Sequence, residues 1–285
     1  MTNNMDRVVL AFSGGAQAAD AIRALSATRT VVTVTLDVGQ GYELTGLRER
    51  ALASGAVRAH VLDVREELAR DYFWPAVQEG RSVVFRAGEL LAPLVASKLV
   101  EVAAIEDAAF VAHEWSGEDA NRLAAAVTHL APELTVLAPL RTTGLSAADE
   151  PTLWSSGRLS GDAFELTRNA ADAPLEGASI EISFEGGSPR RLNGVEMNLV
   201  ETIESLETLA GAHGVGRVRL SDGSWVEAPA AIVVELACDA LRAAASPGDA
   251  PLDGTVSMRL QQGACSIVSC STGEPRLAGT SAERR

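Results

Sequence analysis

Two hydrophobic periods alternate along the first half of the chain. Residues 8–12 form a continuous apolar, β-rich run, and the apolar positions of residues 17–25 then recur at helical spacing. Residues 31–38 alternate β-branched side chains as a strand would, and a helix is expected after Gly39-Gln40-Gly41, extending through Leu52. Residues 57–62 read as a third strand, 64–77 and 88–104 as helices, 108–112 as a strand, 118–130 as a helix and 134–137 as a strand. Strands separated by helices predict an α/β fold with a doubly wound parallel sheet. A ligand would lie beyond the carboxyl ends of its strands, where residues 13–15, 37–40 and 113–117 are expected to converge.

From residue 141 to 177 the pattern loosens into Gly, Ser, Ala and Asp around a Leu153-Trp154 anchor, which reads as a linker or crossover. Beyond it, residues 179–184 and 190–192 suggest a hairpin, and 198–212 a helix capped by Asn198. Residues 217–220 and 224–226 suggest strands, 228–243 a helix, and 254–260 with 264–270 a closing hairpin. The expected organisation is an α/β domain over 1–145, a linker over 146–177, a smaller α+β domain over 178–272 and a mobile tail over 273–285.

Composition narrows the partners. With 38 acidic against 24 basic residues the net charge is −14, and Lys98 is the only lysine, so no basic footprint for nucleic acid is present. Cys238, Cys265 and Cys270 form no C-x-x-C pair and signal neither a disulfide framework nor a zinc site, and no metal ligands are assigned. The first residues are polar and no apolar run reaches membrane-spanning length, so a soluble, cytoplasmic protein is expected.

The candidate chemistry begins where the first strand meets the first helix. Ser13-Gly14-Gly15 comes directly after residues 8–12, which points backbone N–H groups and the positive end of a helix dipole at whatever lies above. That is a pyrophosphate cradle in outline, although small residues also close ordinary βα turns. Loops of the S-G-G-x-D-[ST]-[ST] type in ATP pyrophosphatases add an acid and hydroxyls after the glycines. Here Gln17, Ala18 and Ala19 stand at those places. On this reading Gly14→Val abolishes nucleotide binding by placing a branched Cβ in the cradle.

Longer blocks carry a resemblance. They include V-V-L-A-F-S-G-G from Val8, D-V-G-Q-G from Asp37, L-R-E-R-A-L-A-S-G-A-V from Leu47 and V-R-E-E-L-A-R-D-Y-F-W-P-A-V from Val64. A-P-L-V-A-S-K-L-V-E-V-A from Ala92, V-A-H at Val111, L-A-P-E-L-T-V-L-A-P from Leu130, L-N-G at Leu192, H-G-V-G-R from His213, E-A-P-A-A-I from Glu227 and D-G-T-V from Asp253 extend it into both domains. In this order the chain resembles argininosuccinate synthase, the ATP-dependent ligase that joins citrulline to aspartate and releases AMP and pyrophosphate.

The resemblance implies ATP, with Mg²⁺, as cofactor, and places nucleotide contacts on Ala11, Ser13, Gly14, Gly15, Gln17, Leu36 and Gly117. It implies chemistry at His113 and Ser116 and substrate contacts at Asn121 and Glu227, while Glu89, newly placed in this chain, and Trp115, able to stack on a planar ligand, are further substrate candidates. The departures fall on polar positions. The family's A-H-G-x-T-G-K-G-N-D-Q-V-R reads A-H-E-W-S-G-E-D-A-N-R-L-A from Ala112, so its lysine has become Glu118, its Asn-Asp pair Ala120 and Asn121, and its later arginine Ala124. The Y-P-L-G-T-x-L-A-R-P segment, from Phe85 here, has lost its tyrosine, threonine and arginine, and the C-terminal half is shortened. Glu227 aligns with the family's citrulline-contacting glutamate.

Each candidate has a plainer reading. His113 would be a hydrogen-bonded histidine at a strand end, Trp115 a space-filler, and Tyr72, Phe73 and Trp74 core residues. Glu227 and Arg217 would be solvated surface charges, and Cys238 would pack inside its helix. Glu114, Glu118 and Asp119 would be solvated acids rather than metal ligands.

Three functions stay open. One is a divergent C–N ligase that adenylates a carbonyl or ureido substrate for attack by an amine, on a pair other than citrulline and aspartate. Another is a non-catalytic homologue with a binding or regulatory role. The third is an ATP-independent enzyme using Glu89, Glu114 or Glu118 in the same crevice. The expected partners are an amino-acid-like small molecule, with a homo-oligomer left open and neither nucleic acid nor membrane.

Overall fold

The computed structural model describes residues 6–14, 16–41, 44–84, 86–138, 151–159, 163–245 and 252–273, apart from the side chains of Ala16, Gln17 and Thr45. The chain divides into two units, one made of residues 1–68 and 85–151 and the other of 69–84 and 152–285. In chain order the elements begin β1 (Arg7–Ala11), α1 (Ala16–Ser26), β2 (Thr30–Asp37), α2 (Leu44–Ala53) and β3 (Arg58–Asp63). A helical run comes next: α3 (Arg65–Glu67), a π-helix (Leu68–Phe73) and α4 (Trp74–Gln78). Then come α5 (Ala87–Glu106), β4 (Phe110–Ala112), α6 (Gly117–Leu130) and β5 (Thr135–Leu137).

The five strands of the first unit are all parallel in the order β3-β2-β1-β4-β5. This is the doubly wound sheet that the alternating periods predict. Val8, Val9 and Leu10 are fully buried because helices cover both faces, which is why β1 reads as an unbroken apolar run rather than an alternating one. α1 turns Ala18, Ala21, Ile22 and Leu25 toward Val8, Leu10 and Phe12, and Leu47 and Ala51 of α2 join the same core. The order reverses between β1 and β4, so the carboxyl ends of these two strands flank the crevice where such sheets take their ligands.

The opposite edge of the sheet is closed by a charge cluster. Glu106, in the last turn of α5, has a side chain only 1% exposed, and its carboxylate accepts hydrogen bonds from Arg58 at 3.0 and 3.1 Å and lies 2.8 Å from His60 Nε2. Arg7 donates to the Glu106 main-chain carbonyl and reaches Oε2 at 3.4 Å. Burial pushes this carboxyl up, but the bonds and charges of His60 and Arg58 outweigh it and hold it below the ordinary carboxylate value.

In the second unit, β6 (Arg158–Leu159), β7 (Ala178–Glu185), β8 (Ser188–Leu192) and β9 (Val195–Glu196) precede α7 (Leu199–Ala212). β10 (Arg217–Arg219), β11 (Trp225–Glu227), α8 (Pro229–Ala244), β12 (Gly254–Gln261) and β13 (Ala264–Thr272) complete it. Two antiparallel sheets result, β10-β11-β6 and β13-β12-β7-β8-β9. Asn198 and Glu201 form a reciprocal capping box that starts α7.

The residues expected as a linker carry more structure than their composition suggests. Trp154 is fully buried against Phe73 with ring centroids 4.9 Å apart, β6 pairs with β11, and residues 152–177 belong to the second unit. The helical run also departs from the expected single α-helix, because its middle widens to a π-helix that leads into Phe73 and Trp74 in the core. Trp74 faces Phe184 at 6.2 Å and donates from its indole to the Gly187 carbonyl at 2.9 Å. The expected tail beyond residue 273 lies outside the described residues. Among the described residues, no helix is long and apolar enough to cross a membrane.

Candidate functional site

The crevice is built from strand ends. Ala11 closes β1 half-buried, and two bonds pin the chain just past it: the Phe12 amide donates to the Val34 carbonyl at 2.8 Å, and Thr35 Oγ1 donates to the Phe12 carbonyl at 3.0 Å. Ser13 and Gly14 then emerge half-exposed, and among the described residues nothing accepts a hydrogen bond from either amide. Two unpaired N–H groups entering α1 from its amino end are what an anion requires. Gly15 and the side chain of Gln17 lie outside the described residues.

Gly14 sits at φ +87°, a conformation that favours glycine. A Cβ there would fall 2.2 Å from Leu47 Cδ2 and 3.0 Å from Arg50 Nη2, both on α2. The expected Gly14→Val experiment therefore changes meaning. The branch would strike Leu47 and strain the backbone, so lost binding would report a broken loop and not a filled cradle.

After β2, Gln40 folds back on the strand end. Its Nε2 donates to the Leu36 carbonyl at 2.9 Å and its Oε1 accepts from the Val38 amide at 2.8 Å, which fixes the loop but engages the carbonyl of Leu36.

His113 stands one residue beyond the Leu10–Ala112 pair that joins β1 to β4. Its amide donates to the Leu137 carbonyl at 3.2 Å and the residue is 3% exposed. Burial pushes the imidazole below its ordinary value and outweighs a hydrogen bond with the Trp115 main chain, so the ring is neutral at pH 7. Nδ1 is buried and has no hydrogen-bond partner among the described residues. The ring is thus half satisfied, which a purely structural histidine rarely is.

Trp115 is 9% exposed, so it fills space and offers little face for stacking. Ser116 occupies the N-cap position of α6 in extended conformation, without a capping bond from its side chain, and Gly117 opens the helix with free space at its Cβ position.

The acids that replace the family's neutral and basic residues find partners inside the unit. Arg122 binds Glu118 and lies 3.1 Å from Asp119 Oδ1, and Arg86 lies 2.7 Å from Glu89. Asp119 also rests on the first turn of α5, where a Cβ on Gly88 would fall 2.0 Å from Oδ1. Asn121 points outward and is exposed. No group of three or more His, Cys, Asp or Glu side chains among the described residues is placed to hold a metal ion.

In the second unit, Glu227 and Arg217 are not the solvated charges of their plainer reading. Glu227 is 0% exposed, and its carboxylate accepts from the amides of Glu165, Leu166 and Thr167 at 2.8, 3.0 and 2.6 Å and from Thr167 Oγ1 at 2.5 Å. Arg217 donates to Thr167 Oγ1 and to its carbonyl at 2.8 and 3.0 Å, and its guanidinium lies 3.8 Å from the Phe164 ring centroid. Nearby, burial first, and then the charges of Glu204 and Glu227, push the Glu207 carboxyl up to about 7. Phe164 and Thr167 were invisible as site residues because they sit in a stretch with no periodic pattern. Cys238 is buried in α8, and burial pushes its thiol up to about 12, which makes it inert.

Two family models match the sequence. The argininosuccinate synthase N-terminal HUP domain matches residues 7–153, and the argininosuccinate synthase C-terminal domain matches residues 156–233. The chain belongs to the argininosuccinate synthase family. It is 33% identical over 253 residues to the argininosuccinate synthase of Streptococcus thermophilus, covering 75% of this chain and 63% of that one. To those of Rubrobacter xylanophilus and Dictyoglomus turgidum it is 35% and 34% identical, covering 80% and 83% of this chain and 67% and 71% of theirs. The chain thus spans about 63% of the length of the first of these relatives. The argininosuccinate synthase HUP model covers the whole parallel sheet, including the Ser13–Gly14 turn and His113.

Proposed function

We propose that the chain is an ATP-dependent ligase that forms a C–N bond on a substrate pair other than citrulline and aspartate. The observation that carries this reading is the pair of unpaired amides at Ser13 and Gly14, at the reversal of strand order, within the residues that match the HUP model. The residues fit the phosphate part of the nucleotide: main-chain donors at a helix amino end, set on a loop pinned by Val34 and Thr35. When bound, ATP supplies the group that turns a carbonyl or ureido oxygen into a leaving group, with AMP and pyrophosphate as products.

The chain's own residues do the rest. Ala11, Leu36 and Gly117 line the nucleotide side in this reading, and Glu89, Trp115 and Asn121 the substrate side. His113, neutral and with Nδ1 unbonded, is able to accept a proton at that atom from an attacking amine. Ser116 offers a hydroxyl at the mouth of α6. Mg²⁺ would accompany the nucleotide as its counterion. An amino-acid-like substrate in a cytoplasmic setting completes the proposal.

Isothermal titration with Mg·ATP tests it: binding at micromolar to millimolar nucleotide supports the ligase, and no heat at millimolar nucleotide rejects it. A second reading, a non-catalytic homologue, draws support from one observation. Glu227 spends both carboxylate oxygens on residues 165–167. Absence of nucleotide binding together with a stoichiometric protein partner would favour that reading.

A further inference from the structure

We propose that Arg50 is the cation that holds a phosphate group against the Ser13–Gly14 turn, an inference that rests on the nucleotide-binding reading above. α2 lies beside this turn, and Leu47 and Arg50, three positions apart, share the helix face that meets it. Their jobs divide by chemistry. Leu47, 1% exposed, closes the Cα side of Gly14 with a methyl group. Arg50 is exposed, yet its Nη2 comes within 3.0 Å of the same point. Helical side chains lean toward the helix amino end, and an arginine stem is long enough to carry the guanidinium from the helix body up to the strand ends.

Charge assignment singles out this residue. Among the described residues, arginines near the carboxyl ends of the strands are engaged elsewhere: Arg65 by Asp37 and Asp63, Arg86 by Glu89, and Arg122 by Glu118 and Asp119. Among the described residues no carboxylate pairs with Arg50. A guanidinium that no described carboxylate pairs, close to the turn that carries two unpaired amides, adds to them a planar set of N–H donors for an oxyanion. Neither a leucine-lined turn nor an amide pair alone neutralises a triphosphate in a chain of net charge −14, and Arg50 supplies the missing positive charge.

The test is isothermal titration of the full chain with Mg·ATP and, separately, with pyrophosphate, for wild type, Arg50→Gln, Arg50→Lys and the control Arg48→Gln. Arg48 is exposed on the same helix and donates to the Ala59 carbonyl at 3.4 Å. The expected result is a loss of about 10- to 100-fold in Mg·ATP and pyrophosphate affinity for Arg50→Gln, with a shallower salt dependence. Arg50→Lys should recover part of the loss and Arg48→Gln should bind as wild type does. Equal affinities of wild type and Arg50→Gln, or an equal loss in Arg48→Gln, would overturn the role of Arg50 and leave the nucleotide site standing. Failure of wild type to bind either ligand would overturn both. Matching thermal melts of the variants and wild type separate these outcomes from misfolding.

Discussion

The two edges of the parallel sheet in the first unit obey opposite plans. At the amino ends of the strands, Glu106 is buried and met by Arg7, Arg58 and His60, so its charge is compensated. At the carboxyl ends, the amides of Ser13 and Gly14 and Nδ1 of His113 have no partner among the described residues. The same sheet therefore spends its polar groups on cohesion at one edge and holds them in reserve at the other. Unsatisfied polar groups cost stability, so a protein retains them where a ligand completes the set.

The contrast predicts unequal responses to mutation. Glu106→Ala should lower the unfolding free energy by about 1.5–3 kcal/mol in urea denaturation, because it removes the buried carboxylate that accepts from Arg58 and lies against His60. A loss below about 1 kcal/mol would mean the cluster contributes little. Its pH dependence has a definite sign. The folded-state value of Glu106 is depressed below 4.5, so its contribution is complete above 4.5 and is lost as pH falls through the folded value. Wild type should lose stability on acidification through that window, and Glu106→Gln should lack this component.

Gly88→Ala probes the reserved edge, where Asp119 occupies the space a Cβ needs. We expect a loss of about 1–3 kcal/mol, largely relieved in the double variant with Asp119→Ala. Additive losses would show that the two residues do not meet.

The second unit repeats the contrast between Glu227, fully bonded, and Glu207, whose carboxyl is raised to about 7. Raised from 4.5, Glu207 keeps its proton in the folded state while the unfolded chain gives it up. It therefore costs stability progressively from 4.5 to about 7, and the cost is full above that. Glu207→Gln should raise stability at pH 8 by about 1 kcal/mol, allowing for partial solvent screening, and by nothing measurable at pH 4.

The smallest effect belongs to His113→Leu. It removes one bonded and one unbonded buried nitrogen, so stability should stay within about 1 kcal/mol of wild type. A loss as large as that of Glu106→Ala would erase the distinction between the two edges.

The alternation of period two and period 3.6 made the parallel sheet legible, because β1 and β2 are buried on both faces and α1 on one. The Ser13-Gly14 turn was legible as a turn for the same reason, since small residues follow a buried strand at once, although the motif alone does not separate a cradle from an ordinary βα turn. Residues 152–177 were not, since their strand β6 has only Arg158 and Leu159 and their order comes from hydrogen bonds to Glu227 and from the burial of Trp154. The ligands of Glu227 are mostly main-chain amides, which composition does not encode. Arg50 was hidden in a block read as scaffold, and only its approach to Gly14 distinguishes it from other surface arginines. Gly88 and Asp119 lie far apart in sequence, so their contact had no local signature.

The detour of residues 69–84 into the second unit governs how the chain can be divided. Phe73 and Trp74 are made early but find Trp154 and Phe184 only after the whole intervening sheet has been synthesised. A chain stopped at residue 151 would carry two large aromatic rings with nothing to cover them, and a fragment starting at 152 would have an open socket in its core. Neither half is a self-sufficient module, because rings made before residue 75 are covered only once residue 184 has been synthesised.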